Sequence, residues 1–137
     1  MSKFILVEHK AKKAGLHWDL RFEMPDSSNW ASYAFRKNPL DLKQGEKFTC
    51  IRTTDHSEEN ALFTGTVPEG EYGAGVIKKI DGGSCDVITF KVTRMAVNFQ
   101  GSKLKGLHHF INVSVFGGYK EHKKRMYMFF KGKKEIE

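Results

Sequence analysis

The chain is short of several things, and each shortage narrows what it does. It has two cysteines, Cys50 and Cys85, with no paired or clustered spacing. That excludes a disulfide framework and a cysteine-rich metal cluster, and it reads as two reduced thiols in apolar strands. No apolar run approaches the roughly 18 residues that a membrane span needs. The opening apolar stretch, Phe4-Ile5-Leu6-Val7, is followed at once by charge, which excludes a secretory signal and points to the first strand of an intracellular, cytoplasmic protein. Helical periodicity is scarce: 29–35 offers a short turn and 57–62 a single helical turn. Acid is short relative to base, with 16 Asp and Glu against 23 Lys and Arg, a net charge of +7 and a pI near 9.4. Such a balance favours a polyanionic partner. With no amphipathic basic helix, a membrane surface is not the expected one.

What is present is a β-rich chain. At 39% apolar and 12% aromatic residues it is not disordered, and its 137 residues suit one domain, 1–137, with a real core. Strand-like segments fall at 4–8, 17–23, 47–53, 75–80, 85–93, 107–116 and 125–131. Turn signals lie between them: Pro25-Asp26-Ser27-Ser28, Lys37-Asn38-Pro39, Asp81-Gly82-Gly83 and Phe116-Gly117-Gly118. The pattern predicts a mainly β fold, a compact single-domain antiparallel β-barrel with one or two short helices. The lysine-rich tail, 120–134, is interrupted by Met126-Tyr127-Met128-Phe129-Phe130 and reads as a last strand with basic ends.

One strand carries the first chemical signal. In Leu16-His17-Trp18-Asp19-Leu20-Arg21-Phe22-Glu23 the apolar residues share one face, and His17, Asp19, Arg21 and Glu23 share the other. If the first two strands are neighbours, His9 reaches His17 and Asp19. Two imidazoles and a carboxylate make an open three-ligand set suited to a catalytic divalent ion such as manganese, zinc or iron. A solvated strand face would show the same His-x-Asp pattern. Arg21, on that face, has the planar fork that binds two phosphate oxygens. The cluster Arg52-Thr53-Thr54-Asp55-His56 ends an apolar strand; His56 is a candidate phosphate contact or proton donor and Asp55 a group to orient it. Asp-His is also a common turn dipeptide. The stretch from Gly65 to Gly75 fails as a phosphate loop, because no helix follows it, so its glycines are expected to permit tight turns and close strand approach. His108 and His109, adjacent on a strand, must face opposite ways, and His122 among lysines is expected to be solvated.

Taken in order, these stretches resemble the 3′-phosphoesterase domain of bacterial DNA ligase D, which also occurs free-standing in archaea and bacteria. The matching positions are Glu8-His9, His17 to Glu23, Asn29-Trp30-Ala31, Lys37-Asn38-Pro39, Thr54-Asp55-His56, Phe63-Thr64-Gly65, Val67 to Gly75, Lys103 to Gly106 and Phe130-Lys131. The resemblance implies a barrel with a metal-dependent site, usually holding manganese, that removes a terminal 3′-phosphate or ribonucleotide from DNA to leave a 3′-hydroxyl. By position His9, His17 and Asp19 would be ligands, Arg21 and His56 would hold the scissile phosphate, and Lys37 or Arg36 would assist. Arg52, Tyr72 and Lys131 complete the expected DNA-contacting set.

DNA 3′ ends in primer–template or broken duplex would be the partner in non-homologous end joining, with a separate ligase or polymerase and a monomeric enzyme. Thr54 stands where the family has glutamate and Asn60 where it has tyrosine. The connection from His9 to His17 is longer than in the family pattern, and the sequence shows no counterpart of the family's charged N-terminal arm. Ribonucleotide trimming is therefore expected to suffer more than phosphate removal. Two alternatives stand beside this reading: a non-catalytic, nucleic-acid-binding β-barrel, and a metal phosphoesterase acting on RNA ends or cyclic nucleotides.

Overall fold

Alternation of apolar and polar side chains sets the architecture. The computed structural model describes residues 1–116 and 125–133; Gly117-Gly118, His122 and the lysines at 120, 123, 124 and 134 lie outside the described residues. The strands are β1 (Ser2–Ala11), β2 (Gly15–Glu23), β3 (Trp30–Phe35), β4 (Phe48–Arg52), β5 (Gly65–Val67), β6 (Gly75–Lys91), β7 (Arg94–Gly101), β8 (Lys105–Asn112) and β9 (Met126–Lys131). A short helix, α1 (Glu58–Leu62), and two 3₁₀ turns, Pro39–Asp41 and Val113–Phe116, are the helical elements among the described residues. The strands hydrogen-bond in the order β1-β2-β3-β4-β9-β8-β7-β6, and β6 returns to pair with β1, so the sheet closes on itself. Every pairing is antiparallel, and β5 is added outside the ring on β6. The mainly β, antiparallel, barrel-like fold expected from the sequence is what forms.

One face of each strand fills the ring. Phe4 and Leu6, Leu20 and Phe22, Tyr33 and Phe35, Cys50, Cys85, Phe99, Phe110 and Phe129 are buried together. Aromatic contacts knit opposite walls: Tyr33 and Phe110 lie 4.3 Å apart, centroid to centroid, and Phe35 meets Phe129 edge-on at 5.0 Å. Both thiols are free and buried, and burial raises both, Cys85 to about 12, which keeps them unreactive.

The other face of β1–β3 and β6 points outward, yet part of it is covered. Ile5, Val7, Trp30 and Ile77 form a second apolar cluster roofed by Ala61 of α1 and by Val67 of β5. The segment from Ser57 to Gly75 thus folds back over the outer wall. Ser57 starts α1 as its N-cap, its side-chain oxygen accepting from Asn60 N at 3.2 Å, so the expected helical turn at 57–62 is present.

Four expectations are corrected. Residues 29–35 do not turn; Trp30 to Phe35 is a strand. It is buried on both faces, Tyr33 and Phe35 into the ring and Trp30 into the outer cluster, so no alternation marks it. Asp81-Gly82-Gly83 is no turn either, because β6 runs unbroken through it for 17 residues. Glycines are needed there for close approach: a Cβ on Gly83 would stand 2.7 Å from Gln100 O. Asp81 turns its carboxylate onto the backbone N–H groups of Ser102, Lys103 and Leu104. The third correction is β7, which the sequence pattern passes over. The chain reverses at Val92-Thr93, inside what reads as strand, and Tyr127 Oη donates to Val92 O at 2.7 Å to hold that reversal. The strand read as 107–116 ends at Asn112.

Candidate metal and phosphate site

The strict alternation of β2 places Asp19 and Arg21 on the outer wall, and the β1–β2 register sets His9 directly opposite His17. The α1–β5 roof then buries them: His9 is 6% exposed, Asp19 5% and Arg21 4%. A solvated strand face is thereby excluded. Burying two ionised side chains and an imidazole off the main core costs free energy that only close mutual pairing offsets.

The pairing is specific. Asp19 Oδ2 accepts from Arg21 Nη2 at 3.2 Å, His17 Nε2 stands 3.4 Å from Asp19 Oδ1, and His9 Nδ1 stands 3.8 Å from Asp19 Oδ2. Each imidazole is oriented from behind by a backbone carbonyl. His9 Nε2 donates to Gly73 O at 2.7 Å and His17 Nδ1 to Gly15 O at 3.2 Å. A carbonyl only accepts, so those nitrogens carry the protons, and in the neutral rings His9 Nδ1 and His17 Nε2 turn lone pairs toward the carboxylate. Two nitrogen lone pairs and a carboxylate, all within 4.8 Å of one another, make a donor set that could hold a cation. Backbone carbonyls behind ligating histidines are the outer support that metal sites use. The residues present therefore fit a divalent ion. In its absence a proton does part of the work: the Asp19 hydrogen bond raises the His17 pKa above its ordinary value, although burial opposes it. Burial alone would raise Asp19, but the facing imidazoles of His17 and His9 and the charge of Arg21 outweigh it and hold the carboxyl well below its usual range.

Arg21 is held at its far side as well. Nη1 donates to Ala61 O at 3.0 Å and, more weakly, to Asn60 O at 3.4 Å, which satisfies carbonyls at the end of α1. Its Nε is buried without a partner among the described residues. His56 joins through the backbone, where Trp30 N donates to His56 O at 2.7 Å and His56 N to Trp30 O at 2.9 Å. Burial first, and then the charge of Arg21, lower the His56 pKa, so it is uncharged near neutrality.

The remaining candidates divide. Arg36 approaches the site: Nη1 donates to Ala14 O at 2.8 Å in the β1–β2 turn, and its charge opposes protonation of His17. Tyr72, 99% exposed, stands beside Gly73, whose carbonyl holds His9. Lys37 lies over the Phe48 ring at 5.4 Å. Asp55 does not orient His56 by hydrogen bonding; its Oδ1 accepts from Arg52 Nη2 at 3.2 Å. Arg52 itself is spread over the Phe90 and Tyr33 rings at 5.4 and 5.9 Å. Lys131, on β9, is on a different wall and is not brought to the cluster.

Some supporting groups carry no sequence signal of their own kind. Arg125 clamps the 52–56 segment, its Nε and Nη2 donating to Arg52 O and Thr53 O. Lys12 pairs with Glu69, and Lys12 N donates to Ala74 O at 2.9 Å, which latches the 68–75 loop to β1. Only the loop glycines hint at it. Gly75, at φ +143°, sits where a Cβ would clash with the backbone of Lys10 and Ala11, as expected of glycines that permit close strand approach.

Residues 7–112 match the family described as the DNA ligase D 3′-phosphoesterase domain. Among curated proteins, the multifunctional non-homologous end joining protein LigD of Mycolicibacterium smegmatis is 39% identical over 90 residues, covering 66% of this chain and 11% of its own. The LigD proteins of Mycobacterium tuberculosis, at 32% identity over 115 residues, and Pseudomonas aeruginosa, at 28% over 120, are covered to 14% of their length. The chain thus spans 14% or less of the curated relatives it matches.

Proposed function

This chain belongs to the DNA ligase D 3′-phosphoesterase domain family, and on that premise we propose that it hydrolyses phosphate esters at DNA 3′ ends, leaving a 3′-hydroxyl for a ligase or polymerase. The observation that carries the reading is the buried convergence of His9 Nδ1, His17 Nε2 and Asp19 beside Arg21 and His56. We assign residues 1–137 to one such domain, acting as a monomer.

His9, His17 and Asp19 would hold the ion, with manganese first and zinc or another transition ion compatible with the same nitrogen and oxygen donors. When bound, such an ion polarises a phosphate oxygen and lowers the pKa of a coordinated water. The chain's own groups do the rest. Arg21, already desolvated and fixed by Asp19 and the α1 carbonyls, offers charge to the phosphoryl group without reorganising. Its Nε is a donor without a partner among the described residues. His56, uncharged until a phosphate arrives, gains basicity beside that negative charge and supplies the proton for the leaving 3′-oxygen. The roof of α1 and β5 excludes water from the apolar side of the cluster, which strengthens each of these interactions. Arg36 and Tyr72 at the rim would contact the strand behind the scissile bond.

Product analysis on primer–template DNA bearing a 3′-phosphate tests the proposal, with metal-stripped protein, added Mn²⁺, Mg²⁺ or Zn²⁺, and a His17→Ala control. Conversion to a 3′-hydroxyl that needs both metal and His17 is the expected result. DNA binding without conversion under every metal would overturn it in favour of a binding barrel. Conversion of RNA ends alone would move the substrate class.

A further inference from the structure

A lysine-bordered groove with an aromatic step lies on the wall facing away from the candidate site. In the closed strand order, β8 is four strands from β2 in either direction, so the groove over β8 and β9 is diametrically opposite His17 and Asp19. It consists of two concavities of about 360 and 380 Å³ that share Gln44, Lys131, Gly132 and Lys133. The first adds Lys105 with an apolar floor of Leu107 and Ile88; the second adds Lys47, His109 and Phe130. His109 and Phe130 are register partners on β8 and β9, their rings tilted 31° at 5.3 Å, and Lys47 lies over Phe130 at 5.7 Å.

Among the described residues, four lysines border the groove and Glu46 is the one acid that lines it. That carboxylate is already engaged, accepting from Lys43 N at 2.8 Å. Four lysines against one glutamate leave the described groove net positive, with half-buried His109 and Phe130 at its centre, on a part of the molecule that the proposed chemistry does not use. Lysines spaced along a groove match a repeating phosphodiester, because ammonium groups bind phosphate as point charges and release counterions. Aromatic rings between them match bases that have lost their own stacking partners. Duplex DNA has no free base faces to offer.

We propose that the β8–β9 groove is a second binding surface, for single-stranded nucleic acid, which holds an unpaired strand of the substrate while its end is processed on the opposite wall. The proposal rests on the reading that the substrate is a nucleic acid, but it concerns binding alone.

The test is fluorescence anisotropy with a fluorescein-labelled oligothymidylate ending in a 3′-hydroxyl, titrated over a range of salt against the full chain. The double variant Lys105→Ala, Lys131→Ala is expected to weaken binding and to reduce the slope of log K against log salt by about 1.4, about 0.7 for each phosphate that no longer meets an ammonium group. Phe130→Ala is expected to lose at least about fivefold through the missing stack. If Phe130→Ala fails to fold, the lysine pair still decides. The matched control, Lys78→Ala with Lys91→Ala, removes equal charge from exposed positions on β6. Equal weakening by the control, an unchanged salt slope in the groove variant, or lysine-dependent binding to a hairpin duplex but not to the single strand would each overturn the proposal. Because the probe carries no 3′-phosphate, loss of this surface and loss of the phosphoesterase reading are read separately.

Discussion

At the scale of single residues, position on an alternating strand decides more than residue type. Asp19 and Arg21 are legible in the sequence because β2 alternates without a break, and their shared face follows from a period of two. Their burial is not legible, since the roof over them comes from the Ser57–Gly75 segment, far along the chain. That difference changes what a substitution does. An exposed Asp19 could be replaced without loss of stability, but the observed one compensates buried Arg21. Asp19→Asn is expected to cost about 3 kcal/mol in urea unfolding, because it leaves a buried guanidinium underpaired. It should also abolish the metal-dependent activity. His108 gives a pH signature elsewhere in the molecule. The sequence shows only that one of His108 and His109 faces in; the structure buries His108 against Phe129 with its Nε2 unpartnered among the described residues. Burial lowers its pKa to about 4 from an ordinary 6.5. A depressed folded-state pKa means that the unfolded chain takes the proton first, so stability is full above about 6.5 and falls as pH drops toward about 4. The difference amounts to about 3 kcal/mol. His108→Leu is expected to flatten that part of the acid-unfolding curve, as followed by circular dichroism.

A strand with one buried face announces itself by alternation, whereas a strand buried on both faces shows only where charge or turn residues bound its apolar run. Alternation marks β2 and β4, while β1 and β9 are read from short apolar runs bounded by charge. The sequence pattern misses β3, which is apolar on both sides, and β7, which enters from a reversal made of two β-branched residues with no turn signal. It also splits β6 at Asp81-Gly82-Gly83, because glycines that allow neighbouring strands to come close look the same in sequence as glycines that turn the chain. Gly75, at the start of β6, shows the coupling between element and site. A Cβ there would lie 2.1 Å from Lys10 O, and its φ of +143° is strained for any other residue. Gly75→Ala must therefore push β6 off β1 beside the loop that carries Gly73 to His9. We expect a loss of about 2 kcal/mol or more from strain and clash together. The fall in metal affinity should exceed that of an equally destabilised variant in β8, which isothermal titration would show.

For the molecule as a whole, the closed sheet and the candidate centre are one thermodynamic system. β1 pairs with both β2 and β6, and it is the strand that brings His9 to His17. A cation shared by β1 and β2 therefore fastens the place where the ring is joined to its roof, and binding to the folded state alone raises stability as the logarithm of ligand over dissociation constant. At a hundredfold excess over Kd the gain is about 2.7 kcal/mol, which for a domain of this size raises the melting temperature by several degrees. The proton on His17 competes for the same lone pair. Its pKa is raised, so the competition begins above pH 6.5 and strengthens as the solution becomes more acid. The expected outcome is a melting temperature that rises with Mn²⁺ at pH 8, rises much less at pH 6, returns to the metal-free value with a chelator, and does not respond in Asp19→Asn. Equal stabilisation of wild type and Asp19→Asn would mean that the ion binds elsewhere. The buried lone pairs of His9 and His17 would then be serving Arg21 and the fold rather than a metal.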